Sequence, residues 1–229
     1  MTLRCPFSHV GRRSRKGDVS GREELLNAAI LLFAERGVAN TTIAQIAAAG
    51  KVTPAMVHYW FDTREKLYDA VAGERIVPLI EALWAPVDFE RDPVLDLVRG
   101  LMRRMFAMTV SVPWLPSLWS REVIQMGGLL RERVLSRVST EPSLAFRRKI
   151  AEAQARGELN PAIEPELLFT SMISLVMLPQ ASESIWCQLH FNGRVLGYEQ
   201  IENHTVALLM TGLAGSVPPR AAQPEGGLS

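Results

Sequence analysis

The chain of 229 residues carries 25 Lys and Arg against 24 Asp and Glu, with 48% hydrophobic and 21% charged residues. That length and apolar content support one large or two modest domains with a sizeable core and exclude a single short motif without one. No apolar run approaches the ~20 residues that span a bilayer, no apolar stretch follows the N-terminal arginines as in a secretory signal, and Cys5 and Cys187 make no disulfide framework or metal-ligand set, so the expectation is free thiols in a reducing cytoplasm.

In chain order, residues 1–19 lack periodicity and are expected to form a disordered basic arm. The first 75 residues hold 11 basic and 8 acidic side chains and the remainder 14 and 16, a mild tilt of positive charge toward the N-terminal end. Ser20 with Glu23 has capping-box spacing, and Leu25, Ala28, Ala29, Leu32 and Phe33 form an apolar helical stripe that Gly37 ends. Thr42 with Gln45 repeats the capping box, and Ile43, Ile46 and Ala47 recur at helical intervals. The stretch Ala49-Gly50-Lys51 breaks that helix, and Thr53-Pro54 opens the next, with Thr as N-cap and Pro in the first turn. Asp62 is the predicted cap of a fourth helix with Glu65 at its third position; Leu67, Tyr68 and Val71 carry its apolar face toward Trp84, with Pro78 as a kink.

Helical patterns follow one another from there. Asp92-Pro93 opens a segment with Leu95, Leu97, Val98, Leu101, Met102, Met105 and Phe106; Pro113 and Pro116 break it. Helical spacing resumes from Leu118 to Leu135 across Gly127-Gly128, again from Thr140 to Gly157, then from Glu164 through Leu178, and last from Tyr198 to Leu213. With no strand pattern and no internal repeat, the fold class is all-α. The expected organisation is an arm at 1–19, a helix-turn-helix DNA-binding domain at 20–72, a helical effector-binding and dimerisation domain at 73–215, and a Pro- and Gly-rich disordered tail at 216–229.

The DNA-binding reading comes from residues 42–61. Two short helices joined by a Gly-containing turn are the helix-turn-helix unit, whose second helix lies in the DNA major groove. Within that second helix Val57 and Phe61 are apolar and four residues apart, which assigns both to the core. The arm's Arg12, Arg13, Arg15 and Lys16 are either minor-groove contacts or a solvated tail.

Residues 22–67, REELLNAAILLFAERGVANTTIAQIAAAGKVTPAMVHYWFDTREKL, resemble the tetracycline-repressor (TetR) family of bacterial regulators. The family's motif parts fall at Phe33 to Gly37, Thr41 to Ala47, Val52-Thr53, His58 to Phe61 and Arg64 to Leu67. The chain departs from the pattern in three places. Gly50-Lys51 stands where the family has Ala-Gly, His58 where Tyr is frequent, and Arg64 where Lys is usual. The resemblance implies a two-domain homodimer that reads a near-palindromic operator and holds a small-molecule pocket in its C-terminal domain. It implies DNA contact by the outward face of the second helix, Thr53, Pro54, Ala55, Met56, His58 and Tyr59. Thr42 is implied as both helix cap and phosphate contact, and Arg64 as a phosphate clamp. Thr53 and His58 can hydrogen-bond base edges or phosphates, while Ala55 and Met56 offer apolar contact to a thymine methyl. The C-terminal part carries a looser likeness at Arg121-Glu122, in the turn at 155–159 and at 165–169.

Soft, bulky side chains near Pro-broken helices fit an adaptable pocket, and Met102, Phe106, Trp114, Trp119 and Met172 are the candidate ligand-binding set for an apolar or aromatic effector, against the plainer reading as core. Cys187 and His190 stand three apart without further ligands, so no metal is expected. The helices from Glu164 and from Tyr198 are apolar enough to build a dimer interface. The leading function is a ligand-responsive transcriptional repressor in the cytoplasm, with no cofactor and no catalytic residues. The alternatives are a helical ligand carrier or enzyme that keeps a vestigial helix-turn-helix, and an effector-independent activator. Against the enzyme stands the lack of a G-x-S-x-G, a paired His/Glu motif or a P-loop.

Overall fold

The ends of α1 and α2 fall where the sequence places a cap or a glycine, and every described element is helical. The computed structural model describes residues 21–189 and 196–214; the predicted Ser20 cap, the arm, His190 and the tail lie outside them. α1 (Gly21–Arg36) buries Leu25, Leu26, Ala29, Ile30, Phe33 and Ala34 and stops at Gly37, whose φ is +85°. α2 (Ile43–Ala49) starts in the predicted capping box: Thr42 Oγ1 accepts from the Gln45 N–H at 3.2 Å, and Gln45 Oε1 accepts from the Thr42 N–H at 2.8 Å. α3 (Pro54–Phe61) follows the turn. Thr53 precedes it in extended geometry but makes no side-chain cap bond, because the Met56 N–H donates to the Thr53 carbonyl instead, at 3.0 Å.

α4 (Arg64–Val71) is capped by Thr63, whose Oγ1 accepts from the Lys66 N–H at 3.2 Å. This corrects the prediction of Asp62. That residue ends α3 at φ +57°, and its carboxylate pairs with Lys66 Nζ at 2.8 Å. α4 runs through a π-turn, Ala72–Ile76, into α5 (Val77–Trp84). The distortion predicted at Pro78 therefore appears one turn earlier. A proline has no N–H to donate and its ring crowds the carbonyl four residues back, so the ladder widens there, with the Val77 N–H reaching the Ala72 carbonyl.

The remaining described helices are α6 (Val94–Ser111), α7 (Leu115–Leu118), α8 (Arg131–Leu135), α9 (Glu141–Ala155), α10 (Pro165–Ala181), α11 (Glu183–Leu189) and α12 (Tyr198–Ala214). The continuous pattern read from Leu118 to Leu135 is not one helix. α7 passes into a π segment, Trp119–Ile124, and then a loop in which Gly127 has φ +86°. Gly128 lies so close to the preceding turn that a Cβ would sit 2.3 Å from the Glu122 carbonyl oxygen. Side-chain periodicity persists across that loop while the backbone does not, which is why spacing alone misread it. The expectation of free thiols is corrected at Cys187, which is disulfide-bonded.

Two apolar clusters form the interior. One gathers α1 to α4 and the π-turn with Leu118, Val123, Leu130 and Val134, so the loop region after α7 packs on the N-terminal helices. The other gathers α5, α6, α9, α10 and α12 around Met102, Met105, Phe106, Phe146, Ile150, Met172 and Val176.

Candidate nucleic-acid interface and effector site

α3 is divided cleanly between inside and outside. Val57 and Phe61 are 1% and 4% exposed and lock the helix onto α1 and α2. Thr53, Pro54, Ala55, Met56, His58 and Tyr59 all lie on the solvent side, with Tyr59 79% exposed. The Tyr59 ring meets Trp60 edge-on at 6.3 Å between centroids. His58 Nδ1 stands 3.1 Å from the Asp62 carbonyl oxygen. A carbonyl only accepts, so Nδ1–H donates there and Nε2 is left for an outside partner. Thr42, at the N-terminus of α2, is exposed while capping it.

Arg64 is placed differently from this set. Its Nη2 donates to the carbonyls of Val38 at 3.0 Å and Thr41 at 2.6 Å, and its guanidinium lies 5.5 Å from the centre of the Tyr68 ring. It ties α4 to the α1–α2 turn. That turn is held from a second side. Glu122, 5% exposed, accepts from the Val38 N–H at 2.8 Å and from the Leu129 N–H at 3.1 Å. Arg121 Nη1 donates to the Glu35 carbonyl at 2.9 Å. Gly37 is required here: its φ is positive, and a Cβ would crowd Arg121 Cδ at 3.2 Å and Glu122 Oε1 at 3.3 Å. Val38 is thus gripped at its N–H by the π segment after α7 and at its carbonyl by α4.

Two ion pairs fasten the start of α1 to the π-turn. Arg22 donates to both Glu74 oxygens at 2.6 and 2.7 Å, and Arg75 pairs with Glu23 while donating to Asn27. The Arg22 guanidinium holds the Glu74 carboxyl below its ordinary value, chiefly through these hydrogen bonds, and is itself raised by them.

The five candidate ligand residues do not gather in one place. Met102, Phe106 and Met172 are fully buried together in the second cluster. Trp114 and Trp119 are half-buried and pack on the first. An open cleft of ~480 Å³ lies between the α1–α2 turn and the loop after the π segment, lined in part by Arg36, Asn40, Arg121, Glu122, Gln125 and Met126 and by none of the five candidates. Sequence reasoning singled out Arg121-Glu122 only as a loose likeness and assigned it no role. The available signal was the charged pair Arg121-Glu122 set between apolar Leu118-Trp119 and Val123-Ile124, followed by Gly127-Gly128.

An all-helical protein whose α2–turn–α3 unit presents one bare polar and aromatic face is a helix-turn-helix DNA-binding protein. Residues 25–71 match the family described as bacterial regulatory proteins, tetR family. The matched residues lie within α1 to α4, the helices that carry the helix-turn-helix. The chain is 30% identical over 103 residues to the HTH-type transcriptional regulator BetI of Brucella anthropi, covering 45% of this chain and 48% of that protein. It is 30% identical over 97 residues to the HTH-type nicotine-responsive transcriptional repressor HdnoR of Paenarthrobacter nicotinovorans, covering 42% and 50%. In these matches the chain spans about half the length of the curated relatives. The fold is also that of the ketosteroid transcriptional regulator KstR2 of Mycobacterium tuberculosis, with a TM-score of 0.68, 16% identity, and 88% and 98% of the two chains covered. None of the described helices is long and apolar enough to cross a membrane.

Proposed function

We propose that the protein is a ligand-responsive transcriptional repressor that binds a palindromic operator as a homodimer in the cytoplasm and is released by a small apolar or aromatic effector. The observation that carries this reading is the outward face of α3, where six residues take no part in the core and Tyr59 stands almost bare. Thr53, His58 and Tyr59 supply hydrogen bonds, and Pro54, Ala55 and Met56 supply apolar contact to the major groove. Thr42 offers its helix N-terminus to a phosphate. Arg64 serves the interface by fixing the α1–α2 turn, so that α2 and α3 meet the groove at a set angle, with its other N–H groups available to a phosphate.

The effector side of the reading rests on the second apolar cluster, where Met102, Phe106 and Met172 line up along α6 and α10. Methionine repacks readily, so such a core opens for an apolar guest at small strain. Trp114 and Trp119 would feel the effector indirectly, from the seam between the two clusters. A relative is named nicotine-responsive and a fold neighbour is named a ketosteroid transcriptional regulator, which fits a ring-containing effector. The homodimer rests on exposed Leu167 and Leu178 of α10 and Leu208 of α12. We assign no catalytic role, no metal and no cofactor.

The test is fluorescence anisotropy of the purified protein on the intergenic DNA beside its own gene, against a scrambled duplex at physiological salt. Preferential binding, reversed by a ring-containing apolar ligand, is expected. Equal binding to both duplexes would overturn operator recognition.

A further inference from the structure

The turn between α2 and α3 closes in a Schellman arrangement. The Lys51 N–H donates to the Ala48 carbonyl at 3.2 Å and the Val52 N–H to the Ala47 carbonyl at 2.9 Å. Lys51 therefore occupies the position after the helix cap with φ +57°, a left-handed conformation that glycine adopts freely and a residue with a Cβ resists. The neighbouring glycine has a different task. Gly50 has φ −81°, and a Cβ on it would come within 2.5 Å of Leu25 Cδ2. Asp62 shares the same φ of +57° but pairs with Lys66, whereas no side-chain contact within the described residues accounts for a lysine in a glycine's conformation at this exposed position.

Its ammonium supplies a reason. The other described basic side chains from α1 through the π-turn are all engaged within the protein. Arg22 is bound by Glu74, Arg36 lies 3.6 Å from Glu35, Arg64 is held by the Val38 and Thr41 carbonyls, Lys66 by Asp62, and Arg75 by Glu23. Among the described residues of this region, Lys51 alone makes no ion pair and no side-chain hydrogen bond, and it is exposed. It sits two residues before Thr53, at the head of the helix whose outer face is bare. A cation that neutralises a phosphate releases condensed counterions, and an uncommitted ammonium on a flexible stem does this without first breaking a protein contact.

We propose that Lys51 is a DNA phosphate anchor, carrying its ammonium from the turn ahead of α3 to a backbone phosphate beside the major groove. The proposal rests on the DNA-binding reading above and adds a contact peculiar to this chain, since the family pattern has glycine at this position.

The experiment compares wild type, Lys51→Gly and Lys51→Arg by anisotropy on the intergenic duplex and on its scrambled counterpart across a salt series, with thermal melts in parallel. Lys51→Gly is expected to lower affinity for both duplexes by the same factor, roughly 5-fold per contact at physiological salt, and to flatten the slope of log K against log salt by about 0.9 per subunit. Its Tm is expected to rise by about 1–3 °C as the left-handed strain is relieved. Lys51→Arg is expected to keep the slope. Unchanged affinity and slope in Lys51→Gly would overturn the phosphate role while leaving DNA binding intact. Weaker binding accompanied by a lower Tm would assign the loss to turn structure and also overturn it. Wild type that binds neither duplex would remove the DNA-binding reading and this proposal with it.

Discussion

Tyr59 leaves most of its ring in solvent on a helix whose Val57 and Phe61 are sealed beneath it, so it contributes area to a partner and little to the fold. Tyr59→Ala is expected to move stability by no more than ~0.5 kcal/mol and to lower operator affinity more than ten-fold; a melt followed by circular dichroism and a gel shift on the same sample separate the two effects. The Arg22–Glu74 pair makes a pH prediction. Because the folded Glu74 carboxyl is held below its ordinary value, the stability it contributes is present at neutral pH and is lost as pH falls through that depressed value. Glu74→Gln is therefore expected to melt below wild type at pH 7, with the difference narrowing as pH falls below the ordinary glutamate value of 4.5; since both side chains are partly exposed, the effect is small. At this scale sequence and structure agree where the cause is local. The inward turn of Val57 and Phe61 and the Thr42–Gln45 box follow from spacing of three and four. The capping of α4 by Thr63 was missed because Asp62 and Thr63 are both good caps, and only the left-handed backbone at Asp62 separates them.

At the level of elements, the short turn between α1 and α2 is held by side chains from two other elements. Glu122 and Arg64 grip the two polar groups of Val38 from opposite directions. Glu122→Ala strands two N–H donors, and a loss of about 2–4 kcal/mol in unfolding free energy is expected from chemical denaturation. DNA affinity is expected to fall further than that loss of folded protein explains, because α2 and α3 hang from this turn; titration at a temperature where the variant is fully folded checks the excess. None of this was legible in the sequence, since Val38 and Glu122 lie 84 residues apart and no periodicity links them. The helices themselves were legible except where a π-turn intervened, because widening a ladder by one residue leaves the apolar stripe nearly intact.

On the scale of the molecule, Leu167, Leu178 and Leu208 leave more than half of each side chain uncovered on the helices proposed to meet a second copy. Leu178→Glu or Leu208→Glu is expected to yield a folded monomer in sedimentation velocity, with binding to a two-half-site duplex reduced at least a hundred-fold; a dimer that persists in both would refute that interface. The sequence made this face visible as apolarity beyond one helical stripe, which is why these two helices were read as a dimer interface. The two apolar clusters carry a further consequence. Leu118, Val123, Leu130 and Val134 complete the wall over the helices that present the DNA face. A fragment cut after the π-turn would therefore lack one side of its own interior and expose part of the apolar cluster of α1 to α4 to water. The reading head is not a detachable module: heating is expected to melt both halves in a single cooperative transition, and any guest that tightens the distal half should raise the melting point of the head as well.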